Sequence, residues 1–160
     1  MSQVTVTGKK ETDRIKLYRW YCPQRKTGRQ VLRMRKIVLD LQSGLYAKAI
    51  QRILMQELDG YQVIISEHPD KTVLRCKTFR PYALLMEATG YAPWMLEERL
   101  AICDRVKEFA PDCKIVMLVD DVADAALAEQ VIQAKRDGLI DAFLFCSASD
   151  SYLAAVMDSL

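Results

Sequence analysis

Four places in the chain put reactive side chains at the ends of short apolar runs. Asp40 stands near the end of Lys36–Leu41 (KIVLDL), and Glu87 follows the uninterrupted run Ala83, Leu84, Leu85, Met86. Asp120 and Asp121 follow Lys114–Val119 (KIVMLV), and Cys146 ends Ala142–Cys146 (AFLFC). Runs this short, without period-two alternation, suit strands covered on both faces, as in a parallel sheet. Ligands and chemistry collect outside the carboxyl ends of such strands. Asp120 and Asp121 could join Asp40 as ligands of a hard cation, or they could simply cap the helix that follows. Cys146 could be a redox thiol, but no Lys, Arg or His adjoins it in sequence to lower its pKa, so a small buried hydrophobe is the plainer reading. His68 is the only histidine; beside Pro69 it reads as an exposed loop residue, and it leaves little scope for a His-based relay or a Cys/His zinc site.

The elements that must position these groups follow in a regular order. Lys36–Leu41 is the first strand, and Ser43 offers an N-cap for a helix over about 45–58, with Ala47, Ile50, Ile53, Leu54 and Leu58 as its stripe. Asp59-Gly60 stops it, and Tyr61–Ser66 (YQVIIS) is the second strand. Pro69 opens a short helix to about Phe79 with Val73, Leu74 and Cys76 as its apolar contacts. The third strand covers about 82–87. A helix then runs from after Pro93 to about Phe109, aligning Met95, Ile102, Val106 and Phe109. After the fourth strand, Lys114–Val119, a helix covers about 123–137 with a Leu127, Val131, Ala134 row and Gly138 as its stop. The fifth strand is Ala142–Cys146. Ser149 or Asp150 caps a last helix that buries Leu153, Val156, Met157 and Leu160. Five strands alternating with five helices imply right-handed crossovers and a parallel α/β sheet with helices on both faces.

The 160 residues suit one domain, with or without an appendage, and 51% apolar content suits a filled core. No apolar run is long enough to span a membrane, and the polar, basic N-terminus has no signal-like segment. With five cysteines, an odd number without any Cys-x-x-Cys pair, the expected setting is a reducing, cytoplasmic one. Charge is unevenly spread. Residues 1–36 carry eleven Lys/Arg against Glu11 and Asp13, whereas the remainder carries nineteen acidic residues against twelve basic ones. The expected division is therefore a basic N-terminal extension over 1–33 and a folded domain over 34–160. The extension is open to three readings: an arm with interleaved aromatics that touches nucleic-acid phosphates, a solvated tail, or sequence upstream of a true start at Met34.

From Met34 to Leu160 the chain resembles the receiver domain of bacterial response regulators, the CheY-like form of the flavodoxin-like fold with strand order 2-1-3-4-5. The resemblance rests on the order and spacing of elements: Pro81 opening the third strand, KIVMLV as the fourth, and Ala134–Phe145 (AKRDGLIDAFLF) leading into the fifth. In that family two acidic residues after strand one hold Mg²⁺ and an Asp after strand three takes a phosphoryl group. A Ser/Thr after strand four and a Lys after strand five contact that group. Here Asp40 matches the first acidic position, but Leu41 falls on the second and Glu87 replaces the acceptor. Val119 replaces the Ser/Thr. Cys146 (or Phe145, with the short insertion placed differently) replaces the Lys, and Ser147 takes the place of the usual Pro. Phe143 falls on the aromatic switch position.

The resemblance thus implies a pseudo-receiver, with Asp40 and Glu87 left as a small anionic cluster, Mg²⁺ bound weakly and no other cofactor. Glu87 could mimic a phosphorylated Asp, or it could be only a solvated carboxylate; the missing hydroxyl and lysine favour the latter. The expected function is that of an atypical stand-alone response regulator of two-component or phosphorelay signalling, binding rather than catalysing. No output domain follows Leu160, so its output would be a protein partner, a histidine kinase among them, or self-association. The face formed by helix four, strand five and helix five would serve, through Gln130, Gln133, Arg136, Phe143 and Tyr152. The alternatives are a working but unorthodox phosphoacceptor using Glu87, and a nucleic-acid-binding protein using the basic arm.

Overall fold

The computed structural model describes residues 34–160, so the expectations for the basic extension over 1–33 lie outside the described residues. Five strands alternate with five helices: β1 (Arg35–Asp40), α1 (Gly44–Glu57), β2 (Tyr61–Ile65), α2 (Pro69–Phe79), β3 (Ala83–Ala88), α3 (Leu96–Phe109), β4 (Lys114–Val119), α4 (Ala125–Arg136), β5 (Ala142–Phe145) and α5 (Asp150–Ser159). The strands form one parallel sheet in the order β2-β1-β3-β4-β5. This is the flavodoxin-like, CheY-like arrangement expected from the sequence. No helix among the described residues is long and apolar enough to cross a membrane.

Each sheet face has its own core. Val38, Leu84, Met86, Ile115, Met117 and Val119 face α2, α3 and α4, which contribute Cys76, Ile102, Val106, Leu127 and Val131. Ile37, Leu39, Leu41, Leu85, Val116, Leu118 and Leu144 face α1 and α5, which contribute Ala47, Ile50, Leu54, Leu153 and Met157. Burial on both faces is the reason the strands carry uninterrupted apolar sequence. At about 25 cal/mol per Å² of apolar area, these two cores supply the main stabilisation of the fold.

Local signals set most boundaries. The Ser43 side chain accepts from the Tyr46 N–H at the start of α1, and Ser149 does the same for Tyr152 at the start of α5. Gly138, with φ +75°, ends α4 in the left-handed conformation open to glycine. Arg80 caps α2 at φ 47°, where a side chain is strained; its guanidinium donates to the Phe109 carbonyl at 3.0 Å.

Three expectations are corrected. Leu74 was expected to pack but is exposed, and Thr72 takes the buried place on α2. Met95 was expected in the α3 stripe; it precedes the helix and is exposed, while Arg99 is buried among Leu96, Ile102, Cys103 and Val106. The α4 cap is neither Asp120 nor Asp121 but Asp124, whose carboxylate accepts from the Leu127 N–H at 2.9 Å.

Candidate functional site

Side-chain alternation along β1 and β3 decides which acids can cooperate. Val38 points to the α2–α4 side, and so does Asp40 two residues on; Leu39 and Leu41 point to the α1–α5 side. On β3, Met86 and Ala88 point to the α2–α4 side, whereas Leu85, and with it Glu87, points to the other. Asp40 is paired with Met86 in the β1–β3 register, so the next step of that register sets Leu41 beside Glu87. Asp40 and Glu87 lie on opposite faces of the sheet. The expected anionic cluster of these two residues does not form, because one residue along a strand reverses the side chain.

Asp40 is fully buried and engaged. Its Oδ2 accepts from Arg99 Nη1 at 2.7 Å and from the Thr72 hydroxyl at 2.7 Å. The Thr72 hydroxyl also lies 2.8 Å from Ser66 Oγ. Arg99 Nη2 donates to the Pro93 carbonyl at 2.9 Å, which ties α3 to the loop before it. Asp40 Oδ1 and Arg99 Nε have no partner among the described residues. Two opposite charges removed from water are costly apart and close to balanced together, so each holds the other in place.

Glu87 is half-buried at the end of β3. Its Oε2 accepts from the Gln42 N–H at 2.7 Å, and the Gln42 side-chain carbonyl accepts from the Tyr91 hydroxyl at 2.9 Å. Tyr46 of α1 and Cys146 line the same side. Burial, aided by the neighbouring thiol and by Glu87 and Asp120, pushes the Tyr46 hydroxyl up to about 12. Burial, then Glu87 and Asp120, pushes the Cys146 thiol up to about 11, although the Tyr46 hydroxyl works the other way. Cys146 is therefore a neutral thiol at physiological pH.

The remaining predicted residues are scattered by the same geometry. Val119 is fully buried with its side chain on the α2–α4 side; its carbonyl accepts from the Cys146 N–H at 2.9 Å. Phe143 packs half-buried on that side against Phe145, their rings 5.5 Å apart and inclined at 60°. Asp120 accepts from the Val122 and Ala123 N–H groups and holds the β4–α4 turn. One carboxylate oxygen of Asp121 is buried without a partner among the described residues. Gln130, Gln133 and Arg136 are exposed on α4, and Tyr152 is exposed in the first turn of α5. Gln133 donates to Asp137 on its own helix at 2.7 Å. His68 is exposed at the N-cap of α2 and contacts Asp70.

Among the described residues, no three His, Cys, Asp or Glu side chains converge to hold a metal ion. Asp40, for which the resemblance implied a metal-binding role, faces the other side of the sheet from Glu87 and is neutralised by Arg99. The residues present do not fit Mg²⁺. Arg99, Thr72 and Tyr46 were not picked out from sequence. Arg99 had a signal: it stands three residues after Leu96 and three before Ile102, inside an otherwise apolar stripe.

No protein-family model and no curated protein matches this sequence. Solved structures do. A response regulator from Thermotoga maritima superposes with a TM-score of 0.63 at 16% identity, covering 79% of this chain and 96% of that one. An orphan response regulator of H. pylori gives a TM-score of 0.62 at 13% identity over 79% of this chain and 96% of its own. A CheY-like protein, tadZ, from Pseudomonas aeruginosa gives 0.59 at 17% identity over 78% and 98%. At these identities the likeness is one of fold, and the fold is that of CheY-like receiver domains.

Proposed function

We propose that residues 34–160 form a pseudo-receiver, a regulatory domain of the two-component or phosphorelay class whose phosphoacceptor chemistry is lost. It acts in the cytoplasm by binding a protein partner. The observation that carries this reading is the buried Asp40–Arg99 pair on the face opposite Glu87. Phosphoryl transfer to a carboxylate needs a cation and a metal to offset charge on the transferring oxygens. Beside Glu87 stand Leu41, Tyr46 and the neutral Cys146, none of which offers positive charge. Glutamate also carries its carboxylate about 1.5 Å further than aspartate, too far for an in-line acceptor placed by this backbone.

In receivers generally, kinases and effector domains are the binding partners, and a histidine kinase is the first candidate here. Residues 1–33 are proposed as a basic extension that adds nucleic-acid affinity if it engages phosphates. The test is incubation of the full-length protein with acetyl phosphate and Mg²⁺ followed by intact mass measurement. No gain of mass is expected. A stable gain of one phosphoryl group that disappears in Glu87→Gln would overturn the reading and make Glu87 a working acceptor.

A further inference from the structure

All five strands are parallel, so their amino ends share one end of the domain, away from Glu87 and Cys146. A groove of about 630 Å³ crosses that end, a volume typical of ligand sites. Arg35 and Lys36 line it from the start of β1, Phe79 and Arg80 from the end of α2, Tyr82 from just before β3 and Phe109 from the end of α3. Three cations and three aromatic rings thus border one space. Asp112 is the one acid on the lining among the described residues.

Cations and rings are interleaved there. Arg35 lies over the Tyr82 ring, 4.5 Å from its centre, and donates to the Tyr61 hydroxyl at 2.8 Å, with Asp158 at 3.9 Å. Lys36 lies over the Phe79 ring at 5.8 Å and makes no ion pair among the described residues. Phe79 is half-buried yet packs into neither core. Basic residues are expected where helices end, but Arg35 and Lys36 stand on a strand. Arg80 closes α2 at φ 47°, a conformation that glycine adopts without strain. Strain kept where glycine would relieve it points to a use for the side chain. Residues 1–33 add nine Lys/Arg against Glu11 and Asp13, so their charge has the same sign as the groove.

We infer that this groove binds single-stranded nucleic acid: a base stacks on Phe79, and the phosphates beside it meet Arg35, Lys36 and Arg80. The charge selects a polyanion, and the rings select unpaired bases, whose faces a duplex keeps inside its own stack. Arg35 adds a flat guanidinium, held in place by Tyr61 and Tyr82, on which a neighbouring base can lie. The inference deepens the nucleic-acid affinity proposed for residues 1–33 by giving the folded domain a base-stacking site of its own. It takes nothing from Asp40 or Glu87, neither of which lines the groove.

The test uses the full-length protein and a fluorescent oligo(dT) of about 12 nucleotides, alone or annealed to oligo(dA). Anisotropy should show single-strand binding that weakens as salt rises. Phe79→Leu keeps every charge, so it should weaken single-strand binding by about five-fold or more, the loss of one stacked base, and leave duplex binding unchanged. Arg80→Gly relaxes the left-handed turn, so its melting temperature should not fall. Its slope of log affinity against log salt should drop by about 0.7, the share of one phosphate contact. Single-strand binding retained in full by both variants would overturn the inference and leave the affinity to residues 1–33 alone. A Phe79→Leu loss shared equally by the duplex would overturn it too, because no stacked base would then be involved. So would dTMP binding as tight as that of the oligonucleotide, since the groove would then serve a free nucleotide. The acetyl phosphate experiment decides the pseudo-receiver reading separately.

Discussion

Asp40 and Arg99 meet at 2.7 Å inside the domain, with side chains 1% and 0% exposed, 59 residues apart in the chain. An arginine from α3 thereby occupies the carboxylate that the receiver pattern would assign to a metal. The pair joins the end of β1 to α3, and through Thr72 to α2. It turns a site of exchangeable charge into a fixed part of the core.

Removing either partner should therefore be costly. Arg99→Leu leaves a buried carboxylate unpaired and is expected to destabilise the protein by about 3–5 kcal/mol in urea denaturation. Asp40→Leu/Arg99→Leu should recover most of that loss. A double variant no more stable than Arg99→Leu would show that Arg99 acts through packing rather than charge.

The same pairing predicts indifference to magnesium. Millimolar Mg²⁺ should leave the melting temperature and intrinsic fluorescence unchanged, as binding only to the native state would raise stability. Submillimolar affinity that vanishes in Asp40→Asn would contradict the fixed pair.

Burial pushes the thiols of Cys76 and Cys103 up to about 12 and that of Cys113 up to about 11. Each is raised above the ordinary value of 9.0. The unfolded chain then loses these protons first as pH rises, so their contribution to stability is complete below pH 9 and is lost between 9 and the folded values. Denaturant midpoints should fall steeply above about pH 9. In a triple Cys→Ala variant that extra alkaline slope should shrink. With the other two cysteines replaced (Cys22→Ser/Cys146→Ser), reaction of the native protein with a thiol reagent at pH 8 should be slow and accelerate on unfolding.

Asp141 is expected to act at the other end of the pH scale. Burial alone would raise its pKa, but the Ile115 N–H at 2.8 Å and Lys107 at 3.1 Å, with Lys114 at 3.6 Å, outweigh it and hold the group below its ordinary value of 3.8. A depressed pKa gives stability that is present above the unfolded value and lost as pH falls through the folded one. Asp141→Asn should cost about 1 kcal/mol at pH 7 and flatten the acid limb of the stability profile. An unchanged acid limb would assign the carboxylate a purely geometric role in seating β5 beside β4.

Short-range chemistry made much of this protein legible. The five apolar runs lack alternation because they are buried twice over, and Ser43, Pro69, Ser149 and Gly138 mark helix ends by hydrogen-bonding and backbone preferences that act over a few residues. From those alone the strand count and the parallel sheet could be anticipated; the strand order came from the resemblance to receiver domains. That Leu41 and Cys146 differ from the acid and the lysine of the receiver pattern was likewise visible as residue identity.

What lay beyond the sequence was which side chains meet. Asp40 and Glu87 both end strands, yet the β1–β3 register sets Asp40 beside Met86 and so turns the two carboxylates to opposite faces. A charged residue on a helix is ordinarily solvated; the apolar stripe hinted at the face Arg99 takes, but nothing local named the partner that lets it be the largest fully buried side chain among the described residues. It is stable there only because the tertiary fold brings it within hydrogen-bonding distance of Asp40. Sequence determined the elements, because their signals are local; the packing of α3 on the sheet decided the chemistry of the site, because a buried charge takes its meaning from its partner.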